Sequence, residues 1–476
     1  MTWMRSASQT SRSKRTLLNV QSLDERAMPA ALNSCGPCAP GANDTAIVYT
    51  ETNNPQDGLN AVLAFRRDAA TGDLTRLGSY ATGGTGQINV PKIVGPDDGD
   101  QEVQASADGK FVYAVNEGSD NISAFRILGK GSLQLIGTFS SGGDQPDSIG
   151  LAGNILYVAN RGDASQGHPG TTTPNVTAFN INRDGTITLI PGSAVNFPVG
   201  TFVTQTLVSP DKRFLFVEAA TLAGVPGGNT VSTFRIHPDG TLTAAPGGPA
   251  SAGDKAPVLL GAASHPTLNI IYTGFASSSQ VGVFSYDETG GTNYVAPVAD
   301  TGAAPCWCVV SKDGRTLYVS NTATDSVTVF SLADPLNPVQ IQELPLGGPR
   351  GTAGGPRTNS FEIALDPTGR YLFAITQSTD PAFPQGNQLH TLRIARDGTV
   401  SEPLAPVIFS PADVPANAHA QGLAIVQIQN TSSGHAQVGP IFGGLSDPSI
   451  GDDGTPTRLK DVIRSFRGAR RFGPRH

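Results

Sequence analysis

Ser106–Phe125 reads SADGKFVYAVNEGSDNISAF. An Asp-Gly turn leads into an alternating apolar run, and a second polar turn leads into a short strand ending in Phe. That is the pattern of half-buried strands joined by tight turns. Ser311–Phe330 repeats it as SKDGRTLYVSNTATDSVTVF. Shorter copies are AGNILYVANRGD from Ala152, SPDKRFLFVEA from Ser209, HPTLNIIYTGFA from His265 and DPTGRYLFAIT from Asp366. A truncated copy, AIVYTETN, opens the series at Ala46.

Aligned on the aromatic, the anchors are Tyr49, Tyr113, Tyr157, Phe216, Tyr272, Tyr318 and Phe373, at intervals of 44 to 64 residues. Second anchors follow at Phe65, Phe125, Phe179, Phe234, Phe284, Phe330 and Leu392. Beyond each comes a turn and another short strand, as in GSLQLIGTF from Gly131 or GTLTAAPGG from Gly240. Four short strands per repeat and seven repeats predict an all-β fold, a seven-bladed β-propeller of four-stranded blades. The first repeat lacks its innermost strand, and an orphan apolar strand, GLAIVQI (Gly422–Ile428), follows the seventh. Its pairing with Ala46–Thr50 would complete blade 1 and remove an open sheet edge. The expected organisation is therefore an N-terminal segment 1–43, a propeller over 44–430 and a C-terminal segment 431–476.

Composition agrees. The chain of 476 residues holds 56 Gly and 36 Pro, both above the usual shares of roughly 7% and 5%. These residues follow no G-X-Y period, which excludes collagen, and 38% hydrophobic content excludes a wholly disordered chain. Charged residues make up only 15%, too few for a long helical protein. Length alone suggests about three domains; the repeats make it one. No run of 18 apolar residues exists, so no transmembrane helix is expected.

Charge is unevenly placed. Residues 1–30 carry five basic and two acidic groups and residues 451–476 seven and three, leaving 20 basic and 34 acidic residues between them. An acidic body argues against a nucleic-acid partner, because phosphate binding needs a basic face. The basic N-terminal region has no apolar core of a conventional signal peptide. Leu17–Ala30 (LLNVQSLDERAMPA) nevertheless resembles a short sorting motif of exported bacterial proteins, so export is expected, with a disordered tail on a cytoplasmic protein as the alternative. Leu459, Val462, Ile463 and Phe466 fall at helical spacing among arginines, which predicts a short basic amphipathic helix.

The cysteines form two close pairs. Cys35 and Cys38 have redox-motif spacing but stand in a Pro/Gly-rich linker without βαβ context. Cys306 and Cys308 flank Trp307 at the start of an innermost strand; alternation puts both on one side of the sheet, as buried thiols. No zinc motif is present, and no metal or cofactor is expected. Asp97, Asp98, Asp100 and Glu102 cluster before the second innermost strand without calcium-loop spacing, and a solvated loop is expected there.

The phrases YAVNEGSDNISAF, YVANRGD and DPTGRYLFAI resemble the lactonase propeller family, the 6-phosphogluconolactonase and carboxymuconate-cyclase types, over about Ala46–Ile428. The resemblance implies catalytic groups at matching positions. Glu117, after Tyr113-Ala114-Val115-Asn116, matches the family Glu, and Arg161, after Tyr157-Val158-Ala159-Asn160, matches an Arg of the next blade. The family's innermost-strand Arg and following His are replaced by Gln101 and Glu102, which removes a positive charge that would hold a carboxylate or phosphate. Where the family has His-x-His, this chain has His419-Ala420-Gln421. A catalytic set of Glu117, Arg161 and His419 is implied, with Gln101, Glu102, Asn116, Asn160 and Gln421 as substrate-binding positions. His419 or Glu117 would be the base and Arg161 the electrophilic clamp. Asn116, Asn160 and Asn321 also read as turn residues, and Glu117 and Arg161 as a pair across a blade junction.

His168 lies in a Gly/Thr/Pro-rich insertion, Asp163–Pro174, while His237 and His265 each precede Pro and are expected to be solvated. Arg350 and Arg357 stand in two Gly-Pro-Arg copies before the seventh repeat, within reach of an anionic ligand. Two readings remain. One is a lactone-processing enzyme, hydrolase or cyclase, acting on a small carboxylated or sugar-derived substrate. The other is a non-catalytic propeller that binds a small molecule, polysaccharide or protein at the face where innermost strands begin. A monomer is expected in either case.

Overall fold

The structure is a computed structural model and describes residues 45–87, 99–163, 171–221, 224–253, 257–347 and 357–428. Segments 1–43 and 431–476 lie outside the described residues, and with them Cys35, Cys38, the sorting motif and the basic amphipathic stretch. So do Asp97, Asp98, His168 and Arg350.

Seven antiparallel sheets follow one another along the chain, one per repeat. In blades 2 to 7 the strands lie in chain order from the inside out, and the seven innermost strands touch their neighbours in a closed cycle. Blade 1 is composite. Its innermost strand is Gln421–Ile428, antiparallel to Thr45–Glu51 with Ala46 opposite Gln427 and Val48 opposite Ile425. The expected closing strand is thus in place, one residue longer than its sequence signal. Val426 and Ile428 are buried with Ile47 and Tyr49, so the closure of the ring is sealed by apolar packing as well as by ladder bonds. The fourth strands of blades 3, 4 and 7 are each split into two short pieces that pair with the same third strand, which raises the strand total to 31. The described residues contain no helix beyond three short 3₁₀ turns.

The recurring turns have a common chemistry. Ser106 Oγ bonds Asp108 Oδ1 and accepts from the Phe111 amide, and Ser209 with Asp211 and Ser311 with Asp313 repeat the arrangement. Each such turn needs one left-handed residue, supplied by Gly109 and Gly314 but by Lys212 in blade 4. Asp-Gly-Thr hairpins join third to fourth strands. In the hairpin at Asp239, one carboxylate oxygen accepts from both the amide and the hydroxyl of Thr241.

Blades are locked to one another at both ends. At the end where first strands finish, the anchor Tyr113, Tyr157 and Tyr318 hydroxyls donate to the hairpin carbonyls of Gly185, Gly240 and Gly398 in the following blade. At the other end Asn116, Asn160 and Asn321 pack on Gly84, Gly143 and Gly302 of the preceding connection, where an added Cβ would come within 2.6 Å of the asparagine.

Candidate functional site

The innermost strands carry a shared irregularity near their starts. Their registers shift between Pro146 and Ser148, Val203 and Gln205, Leu260 and Ala263, Pro305 and Cys308, and Ser360 and Ile363. In blade 1 the shift falls between Tyr49 and Glu51, opposite Gln421. An extra residue in one strand bends it and re-aims its side chains. Here it delivers Gln205, Trp307 and Glu362 to the axis of the ring.

They meet the segment Gly99–Glu102, which leads into the first strand of blade 2 (Val103–Ala105). Trp307 Nε1 donates to the Gly99 carbonyl at 2.7 Å and Gln205 Nε2 to Asp100 Oδ2 at 2.7 Å. The Asp100 amide donates to Thr204 O, and Gln101 O accepts from the Ile149 amide. Gln101 has φ +73°, so the backbone is bent into place by its tertiary bonds. The expected solvated loop is corrected: Asp100 is 7% exposed and Glu102 fully buried. Blades 3, 4 and 6 hold the segment inside the ring, which no local pattern signals.

Glu362 lies within hydrogen-bonding reach of both Asp100 and Glu102. Burial pushes the Asp100 carboxyl up to about 7, with its hydrogen bond to Glu362 acting in the opposite direction. Burial, then the charges of Glu362 and Asp100, push Glu102 well above the carboxylate range, and burial and Asp100 do the same to Glu362. Carboxyls so close together in a dry site cannot all be ionised. Two further acids, Glu51 and Glu218, stand two residues after the anchors of blades 1 and 4. Burial raises both to about 8, against hydrogen bonds from Asn60 and Thr273 respectively.

Glu117 caps the second strand of blade 2, Phe111–Asn116, and is 1% exposed. Its Oε1 accepts from Gln421 Nε2 at 3.3 Å, and Gln421 Oε1 in turn accepts from Asn53 Nδ2 at 2.9 Å. The closing strand therefore places Gln421 against the blade 2 glutamate, and Glu117 also acts electrostatically on Glu102. His419 fixes that strand to blade 7: its Nε2 lies 2.8 Å from Ser378 O. A carbonyl only accepts, so Nε2 carries the proton in this bond. Arg161 is 1% exposed and its guanidinium lies over the Phe202 ring of blade 4, 5.3 Å from the centroid. Asn116 Nδ2 donates to Ser123 and Asn121, and its Oδ1 accepts from Asn60, while Asn160 donates to Asn175 and Thr177. Both asparagines thus organise turns and junctions beside the site.

Other expectations change. His265 is buried, not solvated: Nε2 bonds Gly314 O, and Nδ1 accepts the amides of Thr267 and Leu268. Arg357 pairs with Asp380 at 2.5 Å and lies over the Phe383 ring, within its own blade. Cys306 and Cys308 are both buried, but the bulge between Pro305 and Cys308 breaks alternation, so they enter different interblade cores. Among the described residues no group of three or more His, Cys, Asp or Glu is arranged to hold a metal ion. None of the described helical turns is long and apolar enough to cross a membrane. The sequence reading missed Glu362, Gln205 and Trp307. A usable signal was present for Glu362, an acid inside the otherwise apolar run Phe361–Leu365.

A closed seven-bladed ring with buried acids and amides gathered where first strands begin defines a β-propeller with a candidate site on that face. The family model described as lactonase, 7-bladed beta-propeller, matches residues 59–168 and 261–383, and the chain is a lactonase-family propeller. The 6-phosphogluconolactonase of Enterobacter sp. (strain 638) is 30% identical over 183 residues, 36% of this chain and 49% of that protein. The chain thus matches about half the length of that curated relative. The periplasmic gluconolactonase of Pseudomonas aeruginosa superposes with TM-score 0.58 at 18% identity, over 80% of this chain and 99% of that one. A Lactobacillus plantarum protein superposes with TM-score 0.58 at 19% identity, over 80% and 98%. These two likenesses establish the fold.

Proposed function

We propose that the chain hydrolyses the ring ester of a sugar-derived lactone at the face where the first strands begin. Glu117 takes a proton from water as it adds to the carbonyl carbon, and Arg161 stabilises the oxyanion. The ring C–O bond then breaks, the proton passes to the departing ring oxygen, and the product is an open hydroxy acid. Gln421 orients Glu117, and His419 holds the closing strand against blade 7. The observation that carries this reading is the Gln421–Glu117 hydrogen bond, which joins the first and second blades at the positions implied by the family. Similarity to a 6-phosphogluconolactonase supports the lactone class of substrate. The Leu17–Ala30 sorting resemblance supports action outside the cytoplasm.

A second reading, binding of a small molecule, polysaccharide or protein without turnover, is favoured by burial. Glu117, Arg161 and His419 are at most 2% exposed, and the Gly118 amide donates to Thr85 O of a segment folded over Glu117. The test is hydrolysis of δ-gluconolactone and its 6-phosphate by purified protein. Turnover should fall about a hundredfold in Glu117→Gln and in Arg161→Met. Turnover unchanged in both variants removes the lactonase assignment of these residues, and saturable sugar-acid binding without turnover selects the second reading.

A further inference from the structure

The axis of the ring is crossed by Gly99–Glu102, four residues whose seat is built from other blades. Thr204 and Gln205 of blade 4, Trp307 of blade 6 and Ile149 of blade 3 all bond it, and Glu362 of blade 7 faces its two acids. A Cβ on Gly99 would stand 2.2 Å from Asp147 O, so the fit against blade 3 leaves no room for a side chain.

The polar atoms left at the seat are acceptors. Both Glu102 carboxylate oxygens, Glu362 Oε2 and Gln101 Oε1 are buried without a hydrogen-bond partner. Ionised carboxylates cannot satisfy one another, because each only accepts. A proton on one of them turns an acceptor into a donor and lets the row Asp100–Glu362–Glu102 bond to itself. Among the described residues, the titratable groups facing the row add no countercharge. They are Glu117 of blade 2, Glu218 of blade 4 and Cys308 of blade 6, with Asp147 of blade 3 beside Gly99. Among the described residues, no Lys, Arg or His is among the principal influences on the three carboxyls.

We propose that Gly99–Glu102 is a proton-latched plug, seated in the channel while the carboxyl row Asp100–Glu362–Glu102 carries shared protons and withdrawn when they are lost, with the blades still folded. The direction follows from linkage. These acids bind protons more tightly seated than withdrawn, so seating is favoured at low pH. It begins to weaken near pH 7, the value of Asp100, and is lost only as pH rises further and Glu362 and Glu102, both held well above the carboxylate range, give up their protons. The plug rests on its own geometry and does not depend on lactone chemistry.

The molecule carries its own reporter. It has two tryptophans, Trp3 and Trp307, and Trp307 bonds the plug directly. In full-length Trp3→Phe protein, Trp307 emission should shift to the red and acrylamide quenching rise several-fold between about pH 6 and pH 9, at constant far-UV circular dichroism. The transition should vanish when Asp100→Asn and Glu362→Gln are added, since the neutral amides keep the row bonded. A flat emission profile in Trp3→Phe, a transition that persists in the triple variant, or loss of circular dichroism in step with emission would each overturn the plug. Should the triple variant fail to fold, hydrogen exchange on the unmodified chain decides. The Asp100 amide should lose at least tenfold more protection across the transition than amides of Phe214–Ala220, and an equal loss overturns the proposal.

Discussion

The Tyr49 hydroxyl donates to the carbonyl of Gly131 at 2.9 Å, joining blade 1 to blade 2 across 82 residues of sequence. The same bond recurs from Tyr113, Tyr157, Tyr272 and Tyr318, and from Tyr371, whose acceptor is Ala70 of blade 1. Six of the seven junctions therefore carry it, and the last returns to the first blade. Burial raises the Tyr49 and Tyr113 hydroxyls above their ordinary range, so they remain donors at all physiological pH. Blade 4 has Phe216 at this position and relies on apolar and aromatic packing, including Phe216 against Tyr286 with centroids 4.8 Å apart.

Removing one of these hydroxyls leaves a buried hairpin carbonyl without its donor. Tyr49→Phe and Tyr318→Phe should each lower the unfolding free energy by about 1 kcal/mol. Being on different junctions, their effects should add. Urea unfolding would show a lower midpoint at unchanged slope, and a midpoint equal to wild type in both variants would contradict the role of the bond.

The opposite end of each junction is steric. A Cβ at Gly84 would lie 2.3 Å from Asn116 Cγ, and one at Gly302 would lie 2.2 Å from Asn321 Cγ. Neither glycine has positive φ, so Ala at these places tests packing and not backbone strain. Gly84→Ala and Gly302→Ala should each cost about 1–3 kcal/mol. Thermal denaturation within about 1 °C of wild type for both would show that the asparagines move aside freely.

Glu218 gives a pH dependence of known sign. Burial lifts it from 4.5 to about 8, and the Thr273 hydroxyl, 2.5 Å away, only partly opposes this. The folded state holds the proton more tightly than the unfolded one, so its contribution is present below the unfolded value and is lost as pH rises towards 8. Thermal stability should decline from pH 5 to about 8 in wild type, and less steeply in Glu218→Gln. Parallel profiles for the two proteins would rule out Glu218 as a source of the decline. Glu51, raised to about 8 by the same burial, should leave a residual slope in that variant.

The repeat anchors, the hairpins and the closing strand are all legible in the sequence, and the reason is locality. A half-buried strand shows itself by alternation, and an Asp-Gly turn by the backbone its residues allow. The composite first blade could be read because one repeat lacked a strand and one strand lacked a repeat. The family resemblance and the expected closing strand also put Glu117 and Gln421 close together, and the structure joins them by a hydrogen bond.

Tertiary structure alone decided what occupies the axis. Asp100 looked like a solvated acid, and it is buried because blades 3, 4 and 6 bond the segment that carries it. Trp307, Gln205 and Glu362 are separated by up to 157 residues in sequence and reach the centre through bulges that shift strand register. A one-residue shift reverses the side a residue faces, which is also why Cys306 and Cys308 part company. Sequence period determined that there would be seven blades closed by the last strand. Which side chains fill the ring, and which of its acids must share a proton, was decided by the burial that only the closed ring creates.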